Sequence, residues 1–521
     1  MKIVVPPFNN RFSRELPGDP ERINRRRTVA ACYAAVAPTP VSAPKLLGWS
    51  SKLATELALP EAEDAAENLV DLFAGNTIPP TCEPYACNYG GHQFGVWAGQ
   101  LGDGRAINLG ELKDRQGLLQ TLQLKGAGAT PFSRQGDGRA VLRSSLREFI
   151  CSEAMYHLGI PTTRALSLVA SGETVLRDMF YDGHPKGEPG AVVCRVAESF
   201  LRFGNFELAA SRNDKAQLEA LARFALKHHF SHLGPLSSQS VTDLFVEVAA
   251  RTATLVTAWM GVGFVHGVLN SDNMSLLGLT IDYGPYGWLE EYDPDWTPNT
   301  SDLPGRRYRF GLQPQVAAWN LTRLAEALFP LVEDGAALQT GLDRYADDYR
   351  RQSLALQGEK LGLRDVSKED APLLAELPPI LQQERFDMTL FYRALATIAL
   401  EGEGIPQELV ATSYAQKSLE ASRPALSRWL TTYRARLRRD GEEAETRQAR
   451  MNRVNPRFVP RNWLLHEAIV AAESGDLLPL KRLQRVFQSP YDEQPQESDL
   501  ARLQPPWARQ QPGCAMLSCS S

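Results

Sequence analysis

The run His266-Gly267-Val268-Leu269-Asn270-Ser271-Asp272-Asn273, followed shortly by Asp282-Tyr283-Gly284, decides how this chain is read. Asn273 and Asp282 offer two hard oxygen donors. Mg²⁺ takes about one or two such ligands from protein and completes its shell with phosphate and water oxygens. The triplet Leu279-Thr280-Ile281 predicts a strand that delivers Asp282. Asp272 is the only carboxylate of the first run, which makes it the candidate general base. The plainer alternative is that it caps a turn beside Asn273.

The same spacing of His, Asn and Asp-x-Gly is found in the catalytic loop and metal motif of protein kinases. Two positions after the histidine, those enzymes carry the aspartate that takes the substrate proton. Here that position is Val268, which cannot accept a proton. The spacing therefore predicts a metal site without the usual base.

Working outward, 521 residues suffice for more than one structural unit and a large core. The chain is 43% hydrophobic and 22% charged, ordinary for a globular protein. A net charge of −5 disfavours nonspecific binding to nucleic acid. The Arg-rich stretch Ala421–Arg461 is broken by Glu442, Glu443 and Glu445 and is expected to be a solvated helix face. No apolar run approaches the ~20 residues that span a bilayer. Pro6 and Pro7 interrupt the short apolar start, and Asp19 and Glu21 precede the Arg25–Arg27 cluster, so neither a signal nor a transit peptide is expected. A cytoplasmic protein is the expectation, with no nucleic acid and no membrane among its partners. The seven cysteines are irregularly spaced and form no secreted disulfide framework.

Glycines and short apolar runs predict strands at Ala106–Leu109, Leu118–Leu124, Thr163–Val169, Glu173–Asp178 and Ala191–Ala197. A helix is predicted over Ala140–Leu158 and stopped by Gly159 and Pro161. An amphipathic stretch lies near Leu46–Leu59. From Asp214 onward helices dominate, including Val241–Met260, Pro314–Val332, Ala336–Leu356, Met388–Ala399 and Lys417–Arg439. The tail from Gln488, rich in Gln, Pro and Ser, is expected to be disordered. Fold class follows as α+β. A kinase-like arrangement would place an N-lobe over 81–210 and a helical C-lobe over 211–487, with extensions at 1–80 and 488–521.

Gly102-Asp103-Gly104-Arg105 precedes a strand, where backbone can approach phosphate, although Asp-Gly alone also marks a hairpin turn. Lys125 closes the next apolar run, and Glu148 lies 23 residues on within the predicted helix. A strand lysine paired with a helix glutamate holds phosphates in kinases. Gln135-Gly136-Asp137-Gly138-Arg139 is a second glycine segment between them, either a helix cap or a further approach to nucleotide. Arg195 and Arg202 are candidate phosphate forks, with a surface salt bridge as the plainer reading.

With these residues assembled, the chain resembles the selenoprotein O (SelO, YdiU) family of kinase-like proteins. The resemblance is carried by Asn9–Phe12, Asn88-Tyr89-Gly90-Gly91-His92-Gln93-Phe94-Gly95, Leu122–Gly128, Gly136–Arg139 and Ser144–Phe149. It continues through His266–Met274, Asp282–Gly287, Asn455–Phe458, Arg461-Asn462 and the Cys-Ser-Ser ending. The resemblance implies an ATP-dependent protein adenylyltransferase that moves AMP to Ser, Thr or Tyr hydroxyls, with ATP bound in reverse. A phosphotransferase or a non-catalytic nucleotide-binding scaffold are the alternatives. It further implies that Lys125, Arg195 and Arg202 hold the buried phosphates, with Glu148 orienting Lys125. Gly102, Gly104, Arg105, Asp137 and Gly138 would line the nucleotide site. Asn273 and Asp282 would bind Mg²⁺ or Mn²⁺, and Asp272 would be the base. One departure stands out. The family's C-terminal Cys-x-x-Sec or Cys-x-x-Cys is here Cys514-x4-Cys519, and the loop from Asp282 through Arg307 has no cysteine. Cys519 remains a candidate reactive thiol.

Overall fold

The computed structural model describes residues 5–60, 67–332, 334–416 and 423–518. Its N-terminal half is built on one twisted sheet. The strands are β1 (Gly18–Asp19), β2 (Tyr33–Ala35), β3 (Lys45–Trp49) and β4 (Tyr85–Cys87), followed by a separate hairpin of β5 (Gly90–Gln93) and β6 (Val96–Gln100). Then come β7 (Ala106–Lys113), β8 (Leu119–Lys125), β9 (Ala140–Val141), β10 (Arg164–Arg177) and β11 (Lys186–Ala197). The sheet order is β1-β2-β4-β7-β8-β11-β10-β3, with β9 beside β11. Only β1 and β2 pair in parallel; the others run antiparallel. The first 80 residues thus contribute three strands to the sheet. The stretch near Leu46–Leu59, expected to be amphipathic, is part strand and part short helix, Ser51–Glu56.

The two strands expected at Thr163–Val169 and Glu173–Asp178 are one strand, β10. The chain crosses the turn-like Ser171-Gly172 by a shift of register against β11 between Ala170 and Thr174, without leaving the sheet. The strand expected at Leu279–Ile281 does not form. Thr280 makes a single bridge to Thr162, and Asp282 is placed by that contact and by its own ion pairs.

Helix Leu142–His157 packs its buried face, including Leu146, Phe149, Ile150 and Ala154, beneath β10 and β11. Gly159, at φ +75°, supplies the left-handed residue that ends it. Helix Ser238–Val262 is capped by Ser237, whose hydroxyl accepts the Ser240 N–H, and ends at Gly263. It packs against helices Gln313–Val332 and Gly335–Lys360. One apolar core runs from Phe149 to Trp259, Tyr286 and Leu324 and joins the two halves. A second fills the other face of the sheet, and a third, around Trp429 and Tyr433, supports residues 361–451. The architecture is α+β, with a strand-rich N-terminal half and a helical C-terminal half.

Further expectations are corrected. Helix Met388–Leu395 stops short of Ala399, and the described part of Lys417–Arg439 is helical as Pro424–Asp440. Arginines in this region divide: Arg428, Arg438, Arg439 and Arg453 are exposed, as a solvated face would be, and others are not. Arg434, Arg436 and Arg447 are buried and donate to the carbonyls of Ala399, Arg364 and Ile398. The tail is not disordered across its described residues. Leu500, Ala508, Cys514 and Leu517 are buried, and Leu517 exchanges backbone hydrogen bonds with Pro298 and Thr300. A few apolar anchors fix a composition that is otherwise loop-like. No described helix is long and apolar enough to cross a membrane.

Candidate active site

A cavity of about 630 Å³ opens between the sheet and the helical half. Gly102, Gly104, Arg105, Lys125, Asp137, Gly138 and Arg195 all line it. Asp272, Asn273 and Asp282 line it too, as does Val268. The Gly136–Arg139 segment lies backbone to backbone on Gly126–Gly128, just after Lys125: Gly128 N–H donates to the Gly138 carbonyl at 3.1 Å. Gly138 stands at φ +71°, and a Cβ there would sit 2.1 Å from the Gly128 carbonyl carbon. Only glycine permits that contact.

Glu148 and Arg202 do not line the cavity; they stand behind it. Lys125 Nζ meets Glu148 Oε2 at 2.5 Å, and Arg195 reaches Glu148 Oε1 at 3.1 Å. Arg195 also meets Asp282 Oδ1 at 2.6 Å, and Arg202 meets Asp282 Oδ2 at 2.5 Å. Arg202 further donates to the Asp272 carbonyl at 2.9 Å. Burial would raise the Asp282 carboxyl, but Arg202, Arg195 and Lys125 outweigh it and hold the group well below the usual carboxylate range. Burial lowers the Lys125 ammonium, opposed by Glu148. Lys125, Arg195 and Arg202 thus converge on Glu148 and Asp282, three donors suited to phosphate oxygens. Asp282 itself has φ +56°, a left-handed conformation that non-glycine residues seldom adopt. The two arginine pairs hold it there.

His266 is buried and serves the backbone. Its Nε2 lies 2.9 Å from the Ile281 carbonyl, next to Asp282, and burial lowers its pKa, which favours the neutral ring. Asn273 donates its amide N–H to the Val268 carbonyl at 2.8 Å, which leaves its side-chain oxygen as the donor for a cation. Among the described residues, no group of three or more His, Cys, Asp or Glu forms a metal cage. One carboxylate and one amide oxygen beside a cationic phosphate pocket fit Mg²⁺ or Mn²⁺, whose remaining ligands would be phosphate and water.

Burial pushes the Asp272 carboxyl up to about 7, with Arg202 opposing. Its Oδ1 is buried without a hydrogen-bond partner. Its Oδ2 accepts from Gln93 Nε2 at 3.3 Å. Gln93 belongs to the β5–β6 hairpin, a part of the site to which the sequence reading assigned no role. The hairpin lies on the catalytic loop: His92 N–H donates to Ser271 Oγ at 2.7 Å, and Phe94 N–H donates to Tyr308 Oη at 2.7 Å and Asn270 Oδ1 at 3.3 Å. His92 is tethered to buried Glu207 at 2.5 Å. A Cβ on Gly91 would sit 2.6 Å from Asp272 Oδ1, so the glycine makes room for that carboxylate. The signal available in the sequence was the Gly-Gly-His-Gln-Phe-Gly run itself. Buried Asp103, which accepts the Cys87 N–H at 3.0 Å and bonds Gln123, also lay hidden inside the glycine turn.

The family model described as "Protein adenylyltransferase SelO" matches residues 24–488. The chain belongs to the SelO family. It is 53% identical to the "Protein nucleotidyltransferase YdiU" of Xanthomonas axonopodis pv. citri, over 99% of both chains. It is 54% identical to the protein of that name from Azoarcus sp., again over 99% of each, and 52% identical to that of Aromatoleum aromaticum over the whole of both. As a SelO-family member it is an enzyme, an ATP-dependent protein adenylyltransferase.

Cys514 is buried, with its thiol pushed up to about 12 by burial, so it is not poised to ionise. Cys519 lies outside the described residues.

Proposed function

We propose that this SelO protein transfers AMP to a protein hydroxyl from ATP held with its γ-phosphate toward Lys125 and Arg195 and its α-phosphate at Asn273 and Asp282. The observation that supports this most is where the carboxylates fall. Val268 occupies the place of a kinase base, whereas Asp272 faces the same cavity four residues on, with an oxygen unpartnered. A base displaced along the loop suits a displaced phosphorus.

In the step itself the hydroxyl oxygen bonds to the α-phosphorus, the bond to the bridging oxygen breaks, and pyrophosphate leaves. Asp272 takes the hydroxyl proton. Lys125, Arg195 and Arg202 stabilise the charge that grows on pyrophosphate. Asp282 is shared between the two arginines, and binding would divide that triplet, with the forks turning to phosphate and the carboxylate to a cation. Asn273 and Asp282 would hold a divalent cation, Mg²⁺ or Mn²⁺, which would supply charge neutralisation at the phosphates. Glu148 keeps Lys125 and Arg195 aimed. Gly102, Gly104, Arg105, Asp137 and Gly138 shape the walls around the nucleotide.

ATP labelled at the α or the γ phosphate tests the reading. Protein-bound label from the α position is expected. Label from γ alone would make the protein a phosphotransferase, and label from neither a scaffold. A cytoplasmic location is part of the same proposal, checked by fractionation.

A further inference from the structure

We propose that the tip of the β5–β6 hairpin, Phe94 with Val96 and Trp97, is the surface on which the protein substrate docks, seating an apolar side chain next to the hydroxyl to be modified. This rests on the adenylyl-transfer reading and names what that site recognises.

The tip is built on a strained turn. The loop between Gln93 and Val96 has two residues, and both have positive φ, Phe94 at +52° and Gly95 at +85°. That is the type I′ hairpin turn, whose first position favours Asn, Asp or Gly. A phenylalanine there is strained by about 1–2 kcal/mol. Burial would be the usual compensation, yet Phe94 is 44% exposed, Val96 71% and Trp97 36%. Three large apolar side chains thus reach solvent within four consecutive residues, Val96 for most of its surface and Phe94 and Trp97 for part of theirs. Backbone strain of this kind gathers at functional sites, and a cluster of exposed apolar groups marks a contact surface.

The tip is also rigidly referenced to the chemistry. Phe94 N–H is held by Asn270 and Tyr308, and its ring leans on Tyr308 at 5.2 Å between centroids. Gln93, one residue earlier, holds Asp272. Gln93 and Phe94 both line the nucleotide cavity. The exposed tip is therefore continuous with the one surface a protein substrate must touch, the mouth over Asp272. A hydroxyl close enough to lose its proton to Asp272 brings its neighbours in sequence against Phe94 and Val96.

Two synthetic peptides test this, each with a single tyrosine, flanked by leucines in one and by serines in the other. The full chain is given α-labelled ATP with Mg²⁺, and kcat/KM is measured for each. One seated apolar side chain gives about 10-fold preference or more for the leucine peptide. The double variant V96S/W97S is expected to abolish that preference through KM, with the affinity for a fluorescent ATP analogue unchanged, which also reports that it folds. Should Trp97 prove needed for folding, Val96→Ser alone is expected to lower the preference while ATP affinity holds. The platform is overturned if the wild-type protein does not discriminate between the peptides, if the folded variants keep the full preference, or if the protein labels itself but neither peptide. A dimer in sedimentation that V96S dissolves would assign the tip to self-association and equally overturn it. Label from α on neither peptides nor enzyme defeats the adenylyl-transfer reading, and the platform with it.

Discussion

The two ends of the nucleotide cavity are made by opposite means. At the closed end Lys125, Glu148, Arg195, Arg202 and Asp282 form a buried chain of ion pairs in which every charge has a partner. At the mouth, a two-residue turn holds Phe94 in a strained conformation and leaves apolar side chains in water. Buried pairs are rigid because breaking one strands a charge; desolvating an uncompensated ion costs about 3–5 kcal/mol. Exposed apolar groups add little to stability and remain available to a partner. The contrast teaches that the inner end is fixed for an invariant ligand, the phosphates, and the mouth is shaped for a variable one, the protein.

Breaking the inner end should have the largest effect. Asp282→Ala removes the proposed cation ligand and takes from Arg202, 1% exposed, the carboxylate it is paired with. Transfer of α-label should fall below detection, and stability by about 3–5 kcal/mol in denaturant titration. Asp282→Asn separates the two consequences. It should lose transfer equally while keeping a side chain that can hydrogen-bond the arginines, and so unfold nearer the wild type. Substantial transfer by Asp282→Asn would remove Asp282 as the cation ligand.

Next comes the group between the two ends. Asp272→Ala should slow transfer by about 10²–10⁴-fold, the range of a lost general base, while ATP affinity is spared because Asp272 is aimed at the hydroxyl. Unchanged kcat would take the role of base from Asp272. Glu148→Gln should act differently and more weakly. It removes the carboxylate that aims Lys125 and Arg195, so the KM for ATP should rise more than kcat falls. A loss confined to kcat would count against Glu148 as the residue that positions the phosphate cations.

The same contrast explains what the sequence revealed. The inner end was legible because Lys125, Glu148, Asn273 and Asp282 follow one another along the chain in an order that announces their chemistry. Arg195 and Arg202 were harder, since seven residues apart on a chain they look like any surface pair. Only the sheet and the Asp282 contact show them buried. The mouth was nearly silent. Phe94 carries its information in φ, and Gly91 in a distance to Asp272, neither of which is written in residue type. In the fold, the long helices were legible from their periodicity. The β10 bulge and the ordered tail were not, because Ser171-Gly172 and a Gln/Pro/Ser composition signal a break wherever they occur, and a register shift or a few buried anchors such as Leu517 can override them.

The finest test of the contrast is Phe94→Gly, where function and stability should part company. Glycine relieves about 1–2 kcal/mol of left-handed strain. Against this stand the greater freedom of glycine in the unfolded chain, about 0.5–1 kcal/mol, and the lost ring contact with Tyr308, about 0.5–1.5 kcal/mol. These terms cancel to within about 1.5 kcal/mol, so the melting temperature should move by only a few degrees. The N–H donors to Asn270 and Tyr308 belong to the backbone and survive the substitution. If the phenylalanine is there for the fold, the melting temperature should fall by several degrees and transfer should follow the loss of folded protein. If it is there for a partner, transfer to protein should drop severalfold, with the KM for the protein substrate rising more than the KM for ATP. A residue that costs the fold little to lose and costs the reaction something is what a docking platform requires at its tip.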